Sequence, residues 1–132
     1  MSVGTGVIDP EPGCVFCEIA AGTAPAKHRG DWISTIIFEP LNPVTPGHLL
    51  VAPRMHVRDA VEHAAVAAST MSDAASCVNM LRRIDPAYKS VNLITSVGAP
   101  ATQTVFHLHI HIVPRRAGDN LMLPWSEPGD PS

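Results

Sequence analysis

The spacing of apolar and polar positions changes twice along this chain, and each change predicts a different element. Trp32-Ile-Ser-Thr-Ile-Ile-Phe38 is β-branched and apolar, which predicts a buried strand. Pro40, Pro43, Thr45, Pro46 and Gly47 then interrupt it, and Pro46-Gly47 suits the centre of a type II turn. His48-Leu-Leu-Val-Ala-Pro53 follows as the returning strand of a hairpin. Beyond it the period lengthens. Val61, Ala64, Ala68, Met71, Ala75 and Val78 recur every three or four residues, which predicts one apolar helical stripe. Asp59 is placed to cap that helix, with Glu62 completing a capping box, and Asp85-Pro86 to end it. Tyr88 to Thr95 predicts a further strand. Thr104 to Val113, which alternates strictly, predicts the longest one. Cys14 to Ala21 predicts a short helix closed by Gly22. The sum is an α+β fold, an antiparallel meander sheet with one long helix packed on it.

The ends lack such periods. Residues 1–12 are rich in Gly, Pro and small polar side chains and are expected to be a flexible N-terminus. Residues 117–132 are interrupted by Pro124, Pro128 and Pro131 and are expected to form an extended C-terminal arm anchored by Trp125. The domain proper is therefore 13–116, a size that buries a core without staples. Apolar residues make up 45% of the chain and aromatics only 5%, so Val, Ile, Leu and Ala must supply the packing. A net charge of −3 gives no global attraction for a nucleic acid polymer, though a small phosphate ligand needs only local donors. No run of 18 apolar residues predicts a membrane span, and no signal pattern opens the chain, so a cytoplasmic protein with reduced thiols is expected.

Chemistry enters with His107, His109 and His111, at alternate positions of one predicted strand. A strand sends alternate side chains to one face, so the three imidazoles should line one side while Leu108, Ile110 and Ile112 line the other. Neighbouring rings would lie roughly 7 Å apart on that geometry. Two cations at that distance repel by about 2 kcal/mol at an effective dielectric near 20, so mixed protonation states are expected. Imidazole can serve as nucleophile, acid, cation or metal ligand near neutral pH. Three possibilities stay open from the residues alone: a nucleophile with helpers, a metal cage, and a structural polar stripe.

Cys14 and Cys17 stand as Cys-x-x-Cys, with separated histidines downstream. In a reducing compartment that spacing favours metal over disulfide. With His56 ahead of the long helix and His107 opening the last strand, the four make a tetrahedral set. No ligand position would remain for water, so such a zinc would be structural, one per chain. Two buried thiols without metal are the other possibility. Gly98-Ala-Pro-Ala-Thr-Gln-Thr104 can turn backbone N–H groups and hydroxyls towards an anion, a weak signal alone.

Taken together, these segments resemble the histidine-triad (HIT) family, in its zinc-binding Cys-x-x-Cys branch. His107 through Val113 meets the pattern histidine-apolar-histidine-apolar-histidine-apolar-apolar, with Pro114-Arg115 following. Cys14-Val-Phe-Cys17-Glu-Ile, Asn42 through His56, and Gln103-Thr-Val-Phe-His-Leu-His extend the likeness over most of the chain. The resemblance implies a homodimer whose sheets join across a two-fold axis. It also implies hydrolysis or transfer at the α-phosphorus of a small nucleotide substrate. In that pattern His109 attacks phosphorus and forms a nucleotidyl-histidine, His111 binds the phosphate, and His48 is a further active-site histidine. Gln103 and Thr104 match positions that contact phosphate or the leaving group, and Cys14, Cys17, His56 and His107 match the metal ligands. Three departures touch nucleoside recognition. Pro40 stands where relatives carry the acid that holds the ribose, with Glu39 beside it as a substitute. Ser96 stands for Asn or Gln, and Thr102 for Gly. Phe38 is a candidate wall of the base pocket. The alternative to an enzyme is a nucleotide-binding or partner-binding regulatory module with residual catalysis.

Overall fold

Every residue of Thr35–Phe38 (β2) and of Leu49–Pro53 (β3) is buried, as in strands covered on both faces. The computed structural model describes residues 11–126. β2 and β3 pair antiparallel, with Ile37 opposite Val51 and Phe38 opposite Leu50. The hairpin closes as the sequence predicts: the His48 N–H donates to the Thr45 carbonyl at 3.2 Å, and Gly47 sits at φ +88°. Glycine is needed there for space as well as for its positive φ. A Cβ would lie 2.9 Å from the Tyr88 hydroxyl, which donates to the Gly47 carbonyl at 2.7 Å.

Three further strands, β1 (His28–Asp31), β4 (Val91–Ile94) and β5 (Ile110–Pro114), complete an open five-stranded sheet with order β1-β2-β3-β5-β4, antiparallel throughout. The last two strands exchange places relative to a simple meander, so the histidine strand lies inside the sheet and β4 lies at its edge. β1 carries the polar run His-Arg-Gly-Asp, which has no apolar period by which to predict it.

The sheet separates two cores. Helix α2 (Ala64–Leu81) covers one face, packing Ala74, Cys77 and Val78 on Ile37, Leu49, Val51, Ile110 and Ile112. Helix α1 (Val15–Ala21) covers part of the other, packing Phe16, Cys17 and Ile19 on Ile36, Phe38, Leu50 and Ala52. Each of these large side chains contributes roughly 1.5–3 kcal/mol by leaving water. Gly22, at φ +81°, closes α1 as predicted.

Several expectations are corrected. The histidine strand is shorter than predicted, because residues 104–109 spend their backbone elsewhere. Side chains of Gln103, His109 and Thr95 bond the carbonyls of Val105, His107 and His109, and the Leu108 N–H donates to Val57. The long helix starts at Ala64 with His63 as its cap, its Nδ1 accepting from the Val66 N–H at 3.2 Å. Asp59 and Glu62 instead close the preceding turn, accepting from Val61, Glu62 and Arg58 N–H groups. The buried face of α2 runs through Thr70, Ala74, Cys77 and Val78; of the predicted stripe only Val78 lies on it. With alanine on all sides, the helix offers little contrast by which to place its face.

The arm beyond residue 116 begins with a clasp rather than an aromatic anchor. Trp125 is 77% exposed. Arg115 instead donates to Asp119 at 2.8 Å and to the Leu121 carbonyl at 2.7 Å, with the two charged side chains 11% and 2% exposed. Residues 1–10 of the expected flexible N-terminus and 127–132 of the arm lie outside the described residues. No helix among the described residues is long and apolar enough to cross a membrane.

Candidate active site and metal centre

His48 is delivered by the Thr45–His48 turn, and the hydrogen bonds around it fix its tautomer. Its Nδ1 accepts the Val44 N–H at 3.1 Å, so its proton is on Nε2. That Nε2–H donates to His111 Nδ1 at 2.9 Å. His111 must then carry its own proton on Nε2, leaving one N–H free to donate. His109 is set the opposite way. Its Nδ1 lies 2.7 Å from the His107 carbonyl, which can only accept, so Nδ1 is protonated and Nε2 holds a bare lone pair. The rings of His109 and His111 are 5.1 Å apart. The site therefore places a neutral imidazole with an open lone pair beside an N–H donor.

Burial lowers the proton affinity of all of these rings. It pushes His48 and His109 below the usual imidazole value, and takes His111 to about 4 with smaller contributions from His109 and His48. The expected mixture of charged and neutral rings gives way to a set that is neutral at pH 7. An anion would meet directed N–H dipoles rather than an imidazolium.

Beside His48 and His111 lies a cavity of about 250 Å³ on the sheet face that α1 leaves open. His48, His111, Ser96, Asn92, Thr102 and Arg115 are among its lining residues, with Leu121 to Leu123 of the arm along one side. Arg115 spends its guanidinium on Asp119, Asn92 and Leu121. Thr102 holds φ +78°, rare for a β-branched residue.

The metal set assembles next to this site. Cys14 caps α1, its Sγ accepting from the Cys17 N–H, which turns both sulfurs towards His107. His107 donates from Nε2 to the Pro53 carbonyl at 2.7 Å, so its Nδ1 presents a lone pair to the cluster. That Nδ1 lies 3.3 Å from Cys14 Sγ, 3.5 Å from Cys17 Sγ and 3.2 Å from His56 Nδ1, and His56 Nδ1 lies 3.4 Å from Cys17 Sγ. Zinc bonds of about 2.0 Å to nitrogen and 2.3 Å to sulfur put corners of a tetrahedron about 3.3–3.8 Å apart, so these separations fit its edges. All four donor atoms lie within 4.8 Å of one another. Burial pushes the Cys17 thiol up to about 11, and a cation in the cluster would favour the thiolate.

The remaining expected residues are placed as follows. Thr104 is exposed, at the end of the loop that leads to His109. Ser96 lines the cavity. Gln103 is buried, with its amide donating to Arg58 and Val105 carbonyls and accepting from the Gly98 N–H, so the whole group is engaged by backbone. Phe38 is buried under α1, its ring 5.2 Å from Phe16. Glu39 follows it in the strand direction and is ion-paired with Arg29 at 3.4 Å, away from the histidines. Two groups were not anticipated from the sequence: the Pro53 carbonyl and Phe16, whose ring lies 5.0 Å edge-on to His109. A backbone carbonyl leaves no sequence signal; Phe16 had one, its place between the two cysteines.

Residues 25–118 match the profile of the HIT domain. An uncharacterised HIT-like protein of Mycobacterium tuberculosis, MT1300, is 33% identical over 108 residues, covering 82% of this chain and 75% of that protein. Adenylylsulfatase HINT3 of Arabidopsis thaliana is 31% identical over 108 residues, covering 82% of this chain and 55% of that protein. Among solved structures, a Zn-bound histidine triad family protein from Mycobacterium smegmatis superposes with a TM-score of 0.74 at 33% identity, covering 83% of this chain and 80% of that one.

Proposed function

The chain belongs to the HIT domain family, and on that premise we propose that it is a nucleotide hydrolase or transferase acting at an α-phosphorus. The substrates proposed are nucleoside phosphoramidates, dinucleoside polyphosphates and similar nucleotide conjugates. The single observation that carries the reading is the opposed tautomers of the pair: a bare Nε2 on His109 beside an Nε2–H on His111.

The steps follow from those atoms. His109 Nε2 attacks the α-phosphorus, the P–N or P–O bond breaks with its electron pair going to the leaving group, which takes a proton from solvent where it departs as an amine, and a nucleotidyl-histidine forms. Water then attacks the same phosphorus, gives up a proton to solvent and releases the nucleotide, returning the electron pair of the P–N bond to Nε2. The His107 carbonyl, accepting from Nδ1–H, stabilises the positive charge that the ring gains in the adduct. His111 Nε2–H, held by His48, donates to the phosphoryl oxygens as charge builds there. Thr104 is assigned to the leaving group and Ser96 to the phosphate side of the cavity. Gln103, whose amide is engaged throughout, is assigned the shaping of the loop, and Phe38 the deep wall under α1. Cys14, Cys17, His56 and His107 hold one structural zinc per chain; four protein ligands supply cross-linking of α1 to the sheet and no open coordination position.

The competing reading is a nucleotide-binding module with residual turnover, and one observation favours it: Pro40 replaces the ribose acid while Glu39 is paired with Arg29. Turnover of an adenosine phosphoramidate and a diadenosine polyphosphate by the protein and by its His109→Ala variant separates the two. The enzyme reading expects at least a thousandfold loss in the variant. Equal rates in both proteins would remove His109 from the chemistry.

A further inference from the structure

Phe16 occupies a position that neither the metal set nor the reaction explains. It is the second of the two residues between the cysteine ligands, at the start of α1, and is 7% exposed. Its ring meets His109 edge-on, with centroids 5.0 Å apart and planes at 89°, and meets His107 at 5.9 Å and 72°. On its far side it packs edge-on against Phe38 at 5.2 Å. The ring is thus wedged between a wall of the α1 core and the imidazole whose Nε2 is open.

Besides its edge-on neighbour His111 at 5.1 Å, the His109 ring has two contacts that lead to the same cluster. One is the hydrogen bond from its Nδ1 to the carbonyl of His107, a residue whose own ring is fixed by Pro53 and by the cysteine sulfurs. The other is the Phe16 ring, carried on the turn that Cys14 and Cys17 tie down. The hydrogen bond restrains translation of the imidazole and its tautomer, yet leaves rotation about the Nδ1–H···O axis soft. An aromatic ring edge-on to the imidazole resists that rotation, because turning either plane loses a contact of roughly 0.5–1.5 kcal/mol.

We propose that Phe16 is a positioning residue that sets the rotation of the His109 imidazole, and that the Cys14–Cys17 turn serves catalysis by carrying it. The proposal rests on His109 being the nucleophile. An in-line attack needs the lone pair aimed at phosphorus, and small misplacements of a reacting group cost much of the rate. Loss of the ring should therefore lower kcat with little change in KM.

The test uses the zinc-loaded protein and three variants. Phe16→Leu keeps most of the volume, so the fold and the metal are retained. Phe16→Tyr keeps the ring. Arg54→Ala removes the bond from Arg54 to the Ala20 carbonyl at 3.2 Å together with its bonds to the Trp32 carbonyl and Asp31, which loosens the far end of α1 without touching metal or imidazole. Metal content, kcat and KM on an adenosine phosphoramidate, and the nitrogen-15 spectrum of the histidines without substrate are measured for each. The expected result is one zinc per chain throughout, kcat at least fivefold lower in Phe16→Leu with KM within twofold, and a broadened His109 Nδ1–H signal in that variant alone. Phe16→Tyr should recover the rate, and Arg54→Ala should lose thermal stability while keeping kcat within twofold. Unchanged kcat in Phe16→Leu overturns the proposal, as does a raised KM at constant kcat, which would make the ring a wall of the nucleoside pocket. An equal kcat loss in Arg54→Ala overturns it by showing a general effect of loosening α1. Because the spectrum is recorded without substrate, it reports the hold on His109 even if His109→Ala turns out to be active.

Discussion

At the scale of single residues, backbone carbonyls decide which nitrogen of each histidine carries the proton. His107 and His109 both donate to carbonyls, from opposite ring nitrogens, which leaves the Nδ1 of His107 facing the cysteine sulfurs and the Nε2 of His109 with an open lone pair. Burial then keeps the free rings neutral, which has a consequence for stability. His48 and His111 bind protons less readily folded than unfolded, so the unfolded chain takes up more protons as pH falls. Their contribution is fully present above about 6.5 and is lost as pH falls from there towards about 4, the folded value of His111. Melting temperature should therefore fall between pH 7.5 and 5, and fall less in His111→Asn, a comparison that separates this effect from protonation of the metal ligands. An identical fall in both proteins would contradict it. Thr102 makes a second residue-scale prediction. Its left-handed backbone costs roughly 1–3 kcal/mol for a β-branched side chain, so Thr102→Gly should raise stability by about 1 kcal/mol in chemical denaturation, after the entropic cost of glycine. A destabilised variant would mean that the threonine side chain makes compensating contacts.

At the scale of elements, the legible parts were those whose local pattern and tertiary environment agree. The β2–β3 hairpin announced itself through continuous apolar runs and Pro46-Gly47, and α1 through its closing glycine. Where side chains replace the regular ladder, the pattern misleads. His107 and His109 alternate like strand residues, yet their carbonyls are taken by His109 and Thr95 side chains, so the ladder begins only at Ile110. The α2 stripe failed for lack of contrast, and the Arg115–Asp119 clasp was not legible because nothing in sequence marks Asp119, four residues on, as a partner. The histidines and the two cysteines were legible because few other residue types do their chemistry. Glu39, offered by its place beside Pro40, is paired with Arg29, a partner that nothing in sequence marks. α1 has seven residues, too few to persist alone, and the zinc ties it to the sheet together with the packing of Phe16 and Ile19. Chelation, or Cys17→Ser, should release the metal, lower the melting temperature by at least 10 °C and expose the α1 face to a hydrophobic dye. Retention of one zinc per chain in Cys17→Ser would remove that cysteine from the ligand set.

At the scale of the whole molecule, the sheet divides labour between its faces: α2 seals one, and the other is shared by the metal knot and the open histidine pair. β4 ends the sheet as an edge strand with every residue half-buried, and an unpaired edge is a template for further pairing. We propose that two copies join their sheets into a homodimer, as the family resemblance implies. Sedimentation at micromolar concentration should give twice the 14.0 kDa chain mass, and a single-chain mass across that range would refute the dimer. The central claim concerns one atom, Nε2 of His109. A slow substrate such as an adenosine phosphorothioate ester, mixed with the zinc-loaded protein and quenched without acid, should leave a nucleotidyl mass on the peptide that holds His109. Fragmentation should place that mass on His109 itself, and the adduct should vanish in His109→Ala. An adduct on His111, His48 or any other side chain, or full turnover with water attacking phosphorus directly and no adduct at all, would contradict the mechanism.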